Sequence, residues 1–225
     1  LPSGKTFALN EHQVFDPASL YKMWVMGAVY ERIKEGRISE DDPLTADIED
    51  LNKKYGFSQD DVELKNGVLD FSINSALEQM ITISHNYAAL ALADKVGSAN
   101  IKAFLNKNDL NESSMDIPLK TTASDIAKFY EKLYKGEIID GEYSQKMLDI
   151  LSRQTINDRI PKYLPKDTKI VHKTGNLGFF ENDAGIVYSP AGDYIIVVLT
   201  ETNDPLLARD KIARISEAVY KFFNK

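Results

Sequence analysis

The 225-residue chain contains no cysteine. Disulfide frameworks, zinc–thiolate centres, iron–sulfur clusters and cysteine nucleophiles are therefore excluded. Histidine is scarce and scattered, as His12, His85 and His172, so a histidine-rich metal site is not expected. No apolar run approaches the roughly 18 residues that a membrane span requires. The longest, Tyr194 to Leu199, has the length of a buried strand. Basic charge is in deficit: 27 Lys and Arg against 34 Asp and Glu leave a net charge of −7, the opposite of the basic domain or stripe of a nucleic-acid binder. Internal repeats and low-complexity tracts are absent. What is present is ordinary globular material. Hydrophobic residues make up 43% and charged residues 27%, which argues against intrinsic disorder. The length fits one large domain or two modest lobes. The chain opens at Leu1 rather than Met, which leaves room for a preceding signal peptide or membrane anchor and argues neither for nor against one.

Thr6 to Leu9 reads as a short edge strand. Asp16 and Pro17 form a helix-start signal, and helix-forming residues run from Ser19 to about Glu35 before Gly36. That helix carries Leu20, Met23, Trp24, Val25, Met26, Ala28, Val29 and Ile33, apolar on more than one face, which predicts a buried central helix. Residues 39–70 are polar and acidic, with loops and short helical pieces such as Ile48 to Tyr55. Further helices are expected over Ser75–Ser84, Tyr87–Val96, Asn100–Leu105, Ser124–Tyr134 and Ser144–Leu151. After Pro165 the pattern changes to strands at Lys169–His172, Ala184–Tyr188 and Tyr194–Thr200, with a turn over Ser189–Asp193 and a terminal helix over 206–223. The arrangement predicts an α/β fold in two parts. Residues 1–17 and 156–225 would form a discontinuous α/β lobe and residues 18–155 an inserted all-helical lobe, with an active site between them.

Three short motifs carry chemistry. Ser19-Leu20-Tyr21-Lys22 is a Ser-x-x-Lys. On a helix, positions i and i+3 share a face, so the lysine amine can reach the serine hydroxyl. A serine is a poor nucleophile until a base takes its proton, and a lysine desolvated against an apolar wall has a lowered pKa suited to that task. Free N–H groups in the first helical turn favour developing negative charge. Ser84-His85-Asn86 joins two apolar helices; its hydroxyl can relay a proton, and its amide can hold a substrate amide and a lysine at once. Lys173-Thr174-Gly175 closes a strand: a positive charge and a hydroxyl for a carboxylate, then a residue that lets the backbone approach closely. The backbone N–H groups of Ser19 and Asn176 would together make an oxyanion hole. Taken singly, each motif is weak evidence, and an ordinary helix start, helix cap or strand end is the better reading.

In this order, and on these elements, the three are far more specific. The chain resembles the class A β-lactamases and, more broadly, the penicillin-recognising serine hydrolases. The resemblance runs through Phe15 to Lys22, Met80 to Ala89, Thr121 to Ala127, Asp158 to Gly175 and Phe180 to Gly185. It implies an α+β fold of the β-lactamase/transpeptidase kind, with an antiparallel sheet flanked by terminal helices and a helical insertion. It also implies roles. Ser19 would be the nucleophile, Lys22 its base or relay, and Ser84 the proton donor to the leaving nitrogen. Asn86 would bind the substrate amide, Lys173 and Thr174 would hold the carboxylate common to β-lactams and D-Ala-D-Ala stem peptides, and Gly175 would let the backbone approach the substrate. No cofactor or nucleic-acid partner is implied, and the site of action would be extracytoplasmic, secreted or in the cell envelope.

The sequence departs from the family in three places. His85 stands where aspartate is usual. The segment between Met115 and Thr121 is too short for the loop whose glutamate activates the deacylating water. Asp109-Leu110-Asn111-Glu112 resembles that loop's signature, but the gapless run from Lys95 to Leu105 places it on the preceding segment, leaving Glu112 or Asp116 as candidate substitutes. The family's first helix and strand also have no counterpart ahead of Phe7. An enzyme that is acylated by β-lactams and deacylates slowly is therefore expected. The alternatives are a D,D-carboxypeptidase or transpeptidase-like penicillin-binding protein, or a non-catalytic binding module on the same fold.

Overall fold

The structure is a computed structural model that describes residues 1, 4–58, 60 and 62–224. At its centre is α1 (Lys22–Lys34), entered through a 3₁₀ turn over Ala18–Tyr21. Every residue of α1 from Lys22 to Tyr30 is buried, as a helix apolar on all sides must be. Around it pack α3 (Ile73–Thr82), α4 (Asn86–Val96), α5 (Ser98–Lys107) and α7 (Gly141–Leu151), with α6 (Ala123–Tyr134) bridging to the sheet. The contact with α5 is close enough to require Gly27. A Cβ there would lie 2.1 Å from the Phe104 ring, which is itself fully buried.

Strands β3 (Ile170–Leu177), β4 (Phe180–Val187) and β5 (Tyr194–Glu201) form an antiparallel sheet in that spatial order, and α8 (Pro205–Phe223) packs on β4 and β5. Its register pairs Lys173 with Ala184, Thr174 with Asp183 and Gly175 with Asn182. Side chains directly opposite share a face. Lys173, Gly175 and Asn182 therefore lie on one pleat, and Thr174 and Asp183 on the other. The main apolar cluster joins the helices to Val171, Ala184 and Ile186; a second, smaller one lies between the sheet and α8, with Ile160, Leu164, Val187 and Ile212.

The helices and the three sheet strands fall close to where periodicity predicts them. Four details differ. Thr6–Leu9 is not a strand: it is irregular, with Phe7 92% and Leu9 73% exposed. A lone four-residue segment forms a strand only against a partner, and β3 and β5 are the two edges of the sheet among the described residues. Ser19 lies in the 3₁₀ turn rather than in the α-helix. Lys173-Thr174-Gly175 sits inside β3, which runs on to Leu177. The acidic stretch also hides a hairpin, β1 (Pro43–Asp47) with β2 (Val68–Ser72), separated by α2 (Ile48–Lys54). Its inward side chains are little more than Leu44 and Leu69. Each strand ends on a helix cap: Asp47 accepts from Asp50 N and Ser72 from Ser75 N.

Gly27→Ala is expected to destabilise the protein by roughly 1–3 kcal/mol through overpacking against Phe104. The urea midpoint of the variant measures it; an unchanged midpoint would show that this helix contact is looser than described.

Candidate active site

The turn that carries Ser19 is built by local hydrogen bonds and then fastened to the sheet. Ala18 N donates to Asp16 Oδ1 at 2.7 Å and Leu20 N to Pro17 O at 3.0 Å. Ala18 adopts a left-handed conformation, φ +46°, which costs an alanine of order 1–3 kcal/mol. The fastening comes from β4: Asn182 Nδ2 donates to Asp16 O at 3.0 Å and Pro17 O at 3.3 Å. Gly175 of β3 lies under the same turn, where a Cβ would approach Pro17 O to 2.7 Å. Residues i and i+3 eclipse in a 3₁₀ turn, so Ser19 and Lys22 project the same way. The Ser19 hydroxyl makes no hydrogen bond among the described residues.

Two lysines converge on one hydroxyl. Lys22 Nζ donates to Ser84 Oγ at 3.1 Å, Ser84 O at 2.6 Å and Asn86 Oδ1 at 2.6 Å. Lys173 Nζ donates to the same Ser84 Oγ at 3.0 Å and to Thr174 O at 2.9 Å. Both lysines are 0% exposed. Burial disfavours a charged amine: it pulls Lys22 down to about 7, against an opposing pull from the Glu63 carboxylate. Lys173 is held well below the usual lysine range by burial first and by the Lys22 charge second.

The α3–α4 junction presents Ser84 by a second left-handed residue: Ser84 itself has φ +60°. His85 caps α4, its Nδ1 accepting from Ala88 N at 3.1 Å, and its ring meets Phe71 edge-on at 5.9 Å. The cap explains how histidine serves at a position where aspartate is usual. Asn86 turns its carbonyl to Lys22, and its amide donates to Glu63 Oε1 at 2.6 Å. Glu63 comes from the α2–β2 connection, which Leu64 fastens: its carbonyl accepts from Tyr87 Oη at 2.8 Å and Asn52 Nδ2 at 2.9 Å.

The structure thus brings Lys22, Ser84, Asn86 and Lys173 into one network, with Ser19 on the turn beside it. Thr174 is 1% exposed on the opposite pleat from Lys173. Asn176 is exposed at the far end of β3. Glu112 and Asp116 are engaged elsewhere. Glu112 contacts His12 at 3.0 Å and accepts from Thr122 Oγ1 at 2.7 Å. Asp116 is 82% exposed and accepts from Ser114 Oγ. Sequence reasoning missed Glu63 and Asn182. Asp16, read from sequence as a helix-start residue, does accept from Ala18 N at the turn. Among the described residues no three His, Asp or Glu side chains gather as metal ligands.

A sequence model of the β-lactamase enzyme family matches residues 1–223. The chain is similar to β-lactamase VEB-1 of Pseudomonas aeruginosa, 24% identical over 236 residues, covering 92% of this chain and 77% of that protein. Among solved structures it is similar to PBP-A, with a TM-score of 0.86 and 28% identity over 100% of this chain and 87% of that one. A variant of PBP-A, equally similar, was solved as an acyl-enzyme complex with penicillin G. A β-lactamase of Sphaerobacter thermophilus gives a TM-score of 0.86 and 25% identity, over 99% and 89% of the two chains.

The His85 cap has a pH signature. Its Nδ1 must keep a lone pair, and burial, with a smaller push from Lys22, lowers its pKa despite Glu63. Between that lowered value and about 6.5 the unfolded chain binds the extra proton, so stability rises with pH across that window and falls on acidification. His85→Asn keeps a capping oxygen without a titratable group. Melting at pH 7.5 and 5.5 is expected to show a larger acid loss in the wild type; equal losses would refute the cap.

Proposed function

Because the chain belongs to the β-lactamase enzyme family, we propose that it is a serine acyl-transfer enzyme with Ser19 as its nucleophile and β-lactams or D-Ala-D-Ala-type peptides as acyl donors. The observation that carries this reading is the buried meeting of Lys22 and Lys173 on Ser84 Oγ. A lysine with a pKa of about 7 is neutral in a large fraction of molecules at neutral pH, and a neutral amine has a lone pair for the Ser19 proton. Ser19 Oγ then attacks the carbonyl carbon, and the N–H groups of Ser19 and Asn176 receive the developing oxyanion.

Ser84 is suited to the second proton transfer. With both lone pairs of its oxygen taken by the two amines, its own O–H remains to donate to the leaving nitrogen, and Lys22 returns the proton to it. Asn86 would hold the acyl-side amide. Lys173 would hold the substrate carboxylate, whose negative charge favours the protonated form of Lys173 that burial otherwise opposes, while the Thr174 side chain is buried on the opposite pleat. Gly175 leaves the backbone free to approach the substrate.

Slow deacylation is part of the proposal. Hydrolysis of the ester needs a water and a base, and Glu112 and Asp116 are both bound away from the network. That observation favours a second reading, a D,D-peptidase-like penicillin-binding enzyme that passes its acyl group on slowly. The likeness to PBP-A supports it further. Either substrate would be met outside the cytoplasm.

Incubation with penicillin G, followed by intact mass, is expected to give a persistent adduct on the wild type and none on Ser19→Ala. A transient adduct with steady consumption of penicillin would mean efficient deacylation. No adduct from penicillin or from a D-Ala-D-Ala peptide would leave a non-catalytic binding module.

A further inference from the structure

We propose that Glu63 is a positioning residue of this site, holding the Asn86 amide in one orientation and setting a negative charge beside Lys22. The proposal rests on the acyl-transfer reading above, and it adds a group outside the three motifs.

The geometry is a chain of hydrogen bonds. Asn86 has a carbonyl and an amino group on one planar head, and rotation by half a turn exchanges them. In the orientation present, Oδ1 accepts from Lys22 at 2.6 Å while Nδ2 donates to Glu63 Oε1 at 2.6 Å. The exchanged orientation would set an N–H donor against the lysine amine and a carbonyl against the carboxylate. Both contacts would be repulsive while those groups are charged, so the two fix the amide together. Among the described residues the hydrogen bond that Glu63 makes is the one from Asn86 Nδ2 to its Oε1, and its charge acts on Lys22.

Glu63 is also held in place. The carbonyl of the next residue, Leu64, receives the Tyr87 hydroxyl and the Asn52 amide. Tyr87 Oη lies 2.8 Å from Asn52 Oδ1, and Asn52 is fully buried. Tyr87 follows Asn86 directly in α4, so the same turn of helix that presents the amide also clamps the backbone that carries the acid.

The charged and titratable groups facing Lys22 are Glu63 from the α2–β2 connection, Lys173 from β3 and His85 from the α3–α4 junction. Lys173 opposes a charge on Lys22; Glu63 favours one. Removing the carboxylate therefore makes Lys22 give up its proton at lower pH. The orientation of Asn86 and the proton affinity of the base are thus governed by one exposed side chain.

Two variants separate the roles. Glu63→Gln keeps an oxygen to accept from Asn86 and removes the charge; Glu63→Ala removes both. The Lys22 titration is followed by NMR in the resting proteins, and the acylation rate with penicillin G is measured against pH. Glu63→Gln is expected to move the titration and the acid limb of the rate profile down by about 0.5 pH unit, the scale of a partly screened charge. Relative to the plateau, acylation below the limb then rises about threefold. Glu63→Ala is expected to add a plateau loss of about tenfold as the amide is freed, comparable to one lost hydrogen bond. A titration and limb unmoved in Glu63→Gln, or a plateau in Glu63→Ala equal to that of Glu63→Gln, would overturn the proposal. If the wild type forms no adduct, the acyl-transfer reading fails by itself. The resting titration then decides the charge role: a shift sustains it and no shift overturns it.

Discussion

Two amines cannot be taken out of water and set about one hydroxyl without a scaffold that holds them there. That desolvation is the constraint on which the rest of the structure depends. Lys22 is the first residue of a helix whose next eight residues are all buried, so the helix cannot turn to bring its amine into solvent. Lys173 is fixed inside a strand with a paired neighbour on its inner side. The walls of the core therefore act directly on proton affinity, and the chemistry of the site follows from how completely α1 is wrapped.

The same logic runs through β4, where Glu181, Asn182 and Asp183 are all buried in succession. Buried polar groups need partners, and each has one with a distinct use. Glu181 pairs with Arg159 and Arg209, which ties the loop before β3 to α8. Asp183 accepts from Ile160 N and meets His172. Asn182, on the opposite pleat, is a strut from the sheet to the turn before Ser19. One strand thus fixes the two ends of the site, the serine turn through Asn182 and the neighbourhood of Lys173 through Asp183.

Much of this is legible in the chain. Long periodic segments such as Ser124–Tyr134, and the β-branched run from Tyr194, announce their elements. The three motifs point to residues that the structure gathers into one hydrogen-bond network, Lys22, Ser84, Asn86 and Lys173. The β1–β2 hairpin is not legible, since Leu44 and Leu69 are too few to make a period and Pro43 and Asp47 are poor strand formers. Ser19 in a 3₁₀ turn rather than an α-helix is a difference of one hydrogen-bond step that propensity does not resolve. Glu63 is invisible for another reason: it lies 23 residues from Asn86, in a stretch of acids with nothing local to distinguish it. Only the fold brings it to the amide.

Ala18 and Ser84 both sit in left-handed conformations, one on each side of the lysine amines. Neither residue prefers that state in an isolated segment, where nothing repays its cost. The geometry of the site is therefore a product of tertiary packing rather than of local propensity. A fragment with intact helices but an undocked sheet would hold the same three motifs without the contacts of Lys22 and Lys173 to Ser84. Whatever chemistry the network performs would then report on completed tertiary structure.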